Sequence, residues 1–157
     1  SGHTRPKSTA PDSTATLKAR DYFYHGVLAQ TAARTMEAVD LLRHARALDP
    51  TDPTIAFVLG GSYAQQGKSD RALPLLEEAY ASDTPNMTFA RTLSGAYIEA
   101  GRTQDALRIN ERLAAADPED DDVRYRLIQL YARTGELKKG IELATQLQKR
   151  FRPMPSA

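Results

Sequence analysis

Cysteine is absent from this chain of 157 residues, which excludes disulfides and cysteine-ligated metals and leaves the compartment open. An excess of charge of one sign is missing too, because 21 Lys and Arg stand against 20 Asp and Glu. No global field therefore draws the chain to nucleic acid or to an anionic membrane. No apolar run approaches the ~18 residues that span a bilayer, so no direct membrane insertion is expected, and no stretch reads as a signal peptide. Catalytic patterns are lacking as well: there is no phosphate loop, no His-x-x-x-His pair and no Ser-His-Asp order. His3, His25 and His44 all lie near the N-terminus, and His25 four residues from Asp21 reads as an ordinary helical surface pair. The acidic run Asp117 to Asp122 lacks the Gly and the distal Glu of an EF-hand loop. No enzyme activity, cofactor or metal is expected.

What the chain does have is a period. Tyr63, Tyr97 and Tyr131 are 34 residues apart, as are Gly67, Gly101 and Gly135. Ala38, Ala72, Ala106 and Gly140 keep the same step and add an earlier copy. A large residue, a Gly four positions on and a small residue five beyond that, at this period, marks an array of helix pairs. Residues 1–18, rich in Ser, Thr and Pro with Leu17 as the one large aliphatic residue, predict a disordered tail or linker. The units are then 19–52, 53–86, 87–120 and 121–152, with a short tail at 153–157.

Each unit carries start and stop signals. Asp52-Pro53 predicts a capped start for the first helix of the second unit, and Ile55, Leu59 and Tyr63 line one face. Gly67 ends it, and Ser69 or Asp70 is expected to cap the second helix, with Leu73, Leu76, Ala79 and Tyr80 inward. Pro74 costs little if that helix starts late and kinks it if it starts early. In the third unit Thr84-Pro85 is the expected start and Thr103 the expected cap of the second helix. In the fourth, Asp117-Pro118 precedes an acidic first turn of Glu119 to Asp122, which suits the positive end of a helix dipole. The first unit is degenerate, with Ala29 and Ala33 where the others have Tyr and Gly.

These residues resemble the tetratricopeptide repeat family. Its pattern has Leu-Gly at positions 7 and 8, Tyr at 11, Gly at 15, Ala at 20, an aromatic or Leu at 24 and Ala at 27. The second unit matches with Leu59, Gly60, Tyr63, Gly67, Ala72, Leu76 and Ala79. The third departs with Ser94 at position 8 and Asn110 at 24, and the fourth with Gly140 at 20. The resemblance implies an all-α, right-handed superhelical solenoid of antiparallel helix pairs. Small residues at 8 and 20 let the helices approach closely, where bulk would overpack the contact.

The resemblance also implies a concave face lined by positions 2, 5, 9 and 12 of each first helix. Position 5 reads Phe23, Phe57, Arg91 and Tyr125; position 9 reads Val27, Gly61, Gly95 and Gln129. Aromatic and Arg side chains are the usual anchors of interfaces. The candidate partner-binding residues are therefore Phe23, Phe57, Arg91, Tyr125, Arg126 and Gln129; the alternative is that Phe23 and Phe57 cover the seam between units. Family members that grip a peptide carboxylate use Lys, Asn and Arg at set groove positions. From the second unit this chain offers Phe57, Gly61, Thr92, Asp122 and Arg126, and only Arg126 fits.

The expected function is a non-catalytic protein–protein interaction module that binds a peptide segment or helix of another protein in this groove. The alternative is a structural module that self-associates, as a homo-oligomer, or docks through its last helix, where Ile141, Leu147 and Phe151 are the expected exposed surface. Lys138, Lys139, Lys149, Arg150 and Arg152 suit the negative end of that helix better than a nucleic acid, so no nucleic-acid partner is expected. The Pro/Ser/Thr-rich start resembles the spacer after an export signal in bacterial envelope proteins, which leans the expected location that way.

Overall fold

A computed structural model of the chain describes residues 13–150. They form eight helices in four antiparallel pairs: α1 (Ser13–Thr31) with α2 (Thr35–Leu48), α3 (Pro53–Gln65) with α4 (Ser69–Ser82), α5 (Met87–Glu99) with α6 (Thr103–Ala116), and α7 (Asp121–Arg133) with α8 (Leu137–Arg150). Each helix packs on the next, so the described residues form an all-α solenoid. We refer to α1, α3, α5 and α7 as A helices and to the others as B helices. Besides its sequence neighbours, α3 touches α1 and α5, whereas no B helix approaches another B helix along its backbone. The A layer is the crowded one, so the array curves with the A helices inside.

The turn between A and B repeats one geometry. Gly67, Gly101 and Gly135 take φ of 72°, 74° and 80°. The amide of the residue after each Gly donates back to the carbonyl of the Tyr: Lys68 to Tyr63, Arg102 to Tyr97 and Glu136 to Tyr131. This is the left-handed helix ending in which a Gly satisfies the last carbonyls. The same bond forms in the degenerate unit, from Arg34 to the Ala29 carbonyl, with Ala33 itself at φ 59°. An L-residue there costs roughly 1–2 kcal/mol, and the unit keeps the turn regardless.

Three expectations about helix starts are corrected. Ser69, Asp70 and Thr103 do not cap: Lys68 and Arg102 hold those places without a side-chain cap, because the Gly turn itself delivers the chain into the B helix. The A helix of the third unit is capped not at Thr84-Pro85 but by Asn86, whose side chain accepts from the Phe89 amide. In the fourth, Asp120 is the cap and accepts from Asp122 and Val123, so Glu119 lies before the helix. Asp52 caps α3 through the Thr54 and Ile55 amides as its sequence implies. Because α4 starts early, Pro74 lies inside it and leaves the Asp70 carbonyl without its helical donor.

The tail also ends sooner than its composition predicts. Residues 13–18 are helical, because α1 is held by tertiary contact: Ala19 is buried in one cluster with Ala45 and Ile55. Packing of this kind, more than propensity, sustains helices in proteins. The remainder of that tail, and the one at 153–157, lie outside the described residues.

The A–B contact obeys a size rule. A Cβ on Gly26 would sit 2.7 Å from Leu42 Cγ, and one on Gly60 3.0 Å from Leu76 Cγ and Cδ2. Positions 8 and 24 thus pair nothing with Leu in the first two units. In the third, the two departures from the family pattern meet each other: Asn110 Nδ2 donates to Ser94 Oγ and, at 2.8 Å, to the Ala106 carbonyl. At the same two positions the fourth unit carries Ile128 and Ala144, so the larger side chain belongs to the A helix.

Candidate partner-binding face

The face begins from the A helices, whose inner positions the caps and Gly turns hold in register. Phe23 is half-buried against the core and lines a cleft of about 220 Å³ with Ala19, Tyr24 and Ile55. Phe57 is also half-buried, its ring centroid 4.7 Å from that of Phe89 with 35° between the planes. It therefore covers part of the seam while its remaining surface stays on the inner face. Arg91 is exposed and ion-paired with Asp120, the cap of α7. Tyr125 is 62% exposed, Arg126 half-buried and Gln129 exposed. The structure thus joins Arg91 to the next unit and leaves Tyr125 free-standing; it does not bring the six residues together into one cluster.

Between the rows lies open space. A Cβ on Gly61 or on Gly95 would meet no atom within 4 Å, although each glycine sits inside a helix. Gly60, one residue away, has Leu76 pressed against it. The adjacent glycines of α3 therefore do opposite things, one admitting a core side chain and the other baring backbone on the inner face.

Sequence reasoning missed three polar links that span units. Gln30 Nε2 donates to Ser62 Oγ at 2.9 Å, and Ser62 is buried. Among the B helices, Arg46 pairs with Glu78 and Arg112 donates to the Tyr80 hydroxyl at 3.0 Å, the same offset one unit on. Around Tyr80 and Arg112 the outer side holds a cleft of about 330 Å³, lined also by Glu77, Leu93, Tyr97 and Ile109. Burial, and then the nearby Glu77 charge, raise the Tyr97 hydroxyl above its ordinary pKa, while the Arg102 guanidinium, 4.8 Å from the ring centroid, works the other way. Tyr131 is raised as well, by burial and by Glu111.

The histidine and lysine readings resolve simply. His25 Nδ1 lies 2.8 Å from the Asp21 carbonyl and 3.5 Å from its carboxylate, on the surface. Arg150 pairs with Glu119 and Asp121, and Lys139 with Glu136. Among the described residues no group of His, Cys, Asp and Glu could hold a metal, and no helix is long and apolar enough to cross a membrane. Phe151 and Arg152 lie outside the described residues.

With this geometry in place, comparison with known proteins fixes the class. Models described as tetratricopeptide repeat match residues 18–86, 63–120 and 97–153. The chain belongs to the tetratricopeptide repeat family. No curated protein matches it. Among solved structures, MamA AMB-1 is similar with a TM-score of 0.75 at 22% identity, over 89% of this chain and 78% of that one. YrrB, described as a TPR protein with an unusual peptide-binding site, gives 0.72 at 19% identity, over 83% and 66%. The first TPR of Spaghetti (RPAP3), bound to the HSP90 peptide SRMEEVD, gives 0.68 at 17%, over 76% and 95%. At these identities the likeness is one of fold.

Proposed function

We propose that this chain is a non-catalytic protein-interaction module whose inner face holds a peptide segment or a helix of another protein. The observation that carries this reading is the pair Gly61 and Gly95. A glycine inside a helix costs about 0.5–1 kcal/mol relative to alanine, and here no neighbour uses the space. Two such positions, in register on successive A helices, bare main chain beside Phe57 and Arg91. A ligand can approach the backbone there while aromatic and guanidinium groups flank it, which is how amphipathic helices and extended segments are gripped in grooves.

The ligand chemistry follows from what lines the row. YrrB and the RPAP3 repeat carry peptide-binding descriptions, the latter with the acidic SRMEEVD. This chain places Phe57 and Gly61 where a carboxylate clamp needs Lys and Asn, so its ligand engages through apolar side chains. The test is selection from a displayed random-peptide library. Wild type is expected to enrich apolar-anchored peptides, and Gly61→Leu/Gly95→Leu, which fills the groove, should lose them at least tenfold without losing thermal stability. Equal enrichment by that variant and by Phe57→Ala/Tyr125→Ala would remove the groove from the account.

A further inference from the structure

Position 5 of the first three A helices reaches across to the next unit, and the chemistry of that reach changes along the array. Phe23 packs on the cluster that holds Ile55 of α3. Phe57 sets its ring 4.7 Å from that of Phe89 in α5. Ile55 and Phe89 occupy the same position, 3, of their units, and the copy in the fourth unit is Val123. Arg91 makes an ion pair instead, with Asp120. Both oxygens of that carboxylate are engaged: Oδ1 accepts the Asp122 and Val123 amides as the cap of α7, and Oδ2 holds the guanidinium.

The backbone follows the change. Cα atoms of α3 come within 8 Å of both α1 and α5, whereas none of α7 comes that close to α5. The outer side of this third seam lacks the tie that the other two have. Where Arg46 pairs with Glu78 and Arg112 with Tyr80, the corresponding places hold Ala114 and Gln146, and a methyl group offers no hydrogen bond. Between the two sides the apolar packing is continuous: Ile109 and Leu113 of α6 and Val123 and Leu127 of α7 are buried in one cluster. The Tyr131 hydroxyl, donating to Glu111 at 3.3 Å, adds a tie between the same two helices.

We propose that the third seam is the hinge of the array, with the α6–α7 packing as its axis and the Arg91–Asp120 pair as a latch that closes its inner side. In a solenoid each unit meets only its neighbours, so one seam can move while the others stay. The Arg91 side chain is 51% exposed and that of Asp120 13%. Salt therefore reaches the pair, and an ion pair so open to water holds weakly. A ring laid on an apolar neighbour has no such release. The inner face is thus preset around Gly61, on the helix between the two apolar seams, and adjustable beside Gly95, on the helix that carries the latch. A partner that draws Arg91 away from Asp120 opens the fourth unit around itself. The latch belongs to the free chain, whether or not the groove is filled.

The test measures both kinds of seam in the free chain. Because the sequence holds no cysteine, spin labels can be placed at position 2 of the A helices, which is exposed in α3, α5 and α7. Thr54→Cys/Thr88→Cys reads the distance across α3–α5, and Thr88→Cys/Asp122→Cys the distance across α5–α7. Raising salt from about 0.1 M to about 1 M cuts the screening length from about 10 Å to about 3 Å. The α5–α7 distance distribution should then lengthen and broaden, while the α3–α5 distribution stays as it was. Asp120→Asn, which keeps a capping side chain, should broaden the α5–α7 distribution already at low salt. Arg91→Phe, which gives the third seam the ring of the first two, should keep it narrow at both salts. An α5–α7 distribution that ignores both salt and Asp120→Asn would overturn the proposal, and so would two seams that widen equally. Peptide binding with a salt-blind seam would mean a rigid groove, whereas a salt-opened seam without peptide binding would leave the hinge standing.

Discussion

The second and third units share one backbone plan and hold it together by different chemistry. In the second, Gly60 opens a slot that the Leu76 side chain fills, so the A–B contact is dry and purely a matter of shape. In the third, Ser94 and Asn110 stand at the same places and exchange a hydrogen bond in full burial, with Asn110 Oδ1 left without a donor among the described residues. Shape complementarity and a polar pair thus meet the same geometric demand. They fail differently when perturbed, since a buried polar group without its partner costs more than the pair contributes.

The largest expected effect sits where the two units agree. Tyr63 and Tyr97 are both buried as the last wedge before the Gly turn, and truncating either to Ala should cost about 3–5 kcal/mol, as for other large aromatics. Tyr131 is only half-buried, so Tyr131→Ala should cost less. Chemical denaturation of the three variants tests the order, and equal losses would mean that the wedge does not depend on burial.

Next come the contacts where the units differ. Asn110→Leu puts the second unit's side chain against Ser94 and strands its hydroxyl, which should cost about 1–3 kcal/mol. Adding Ser94→Gly rebuilds the Gly60–Leu76 pair and should recover that loss, with a coupling of about 0.5–3 kcal/mol between the two sites. Additive effects would show that the sites do not touch in solution. Gly60→Ala should be destabilising, because its Cβ would lie 3.0 Å from Leu76 and 3.1 Å from Leu75. Gly61→Ala, one residue on, should instead stabilise by about 0.5–1 kcal/mol. Opposite signs in thermal melts are the expected result.

The smallest effect is electrostatic and belongs to the third unit. Burial, and after it Glu77, hold the Tyr97 phenol in its neutral form, so its folded pKa lies above that of the unfolded chain, about 10. The stability this contributes is whole below pH ~10 and is lost as pH rises from there through the folded value. Tyr97→Phe should flatten that alkaline decline. The part remaining comes from Tyr131, whose phenol is raised in the same sense. A decline unchanged by both substitutions would assign it elsewhere.

Much of this was legible in the residues. The Tyr and Gly series announces helix, left-handed turn, helix, because an L-residue resists the turn conformation and a Gly does not. Ala33 marks the limit of that reading: its position was recoverable by register, but that an Ala would accept φ 59° was not. Helix starts were read with less success, since Asn86 and Asp120 compete with equally plausible caps nearby. Of the six candidate groove residues, Arg91 could not be seen to join Asp120, 29 positions on, without the curvature that brings α5 to the start of α7.

The sequence by itself determined the repeat, its period, the all-α class and the faces that turn inward, because these rest on local torsions and on spacing along single helices. Tertiary structure decided the rest. It showed that Ser94 and Asn110 compensate one another, that Gly60 and Gly61 serve opposite purposes, that α1 extends back to Ser13, and that Ile141 stands uncovered where Leu107 is not. The reason is common to all four. Each depends on what lies across a helix–helix contact, and a one-dimensional pattern records which residues face a neighbour but not which neighbour they meet.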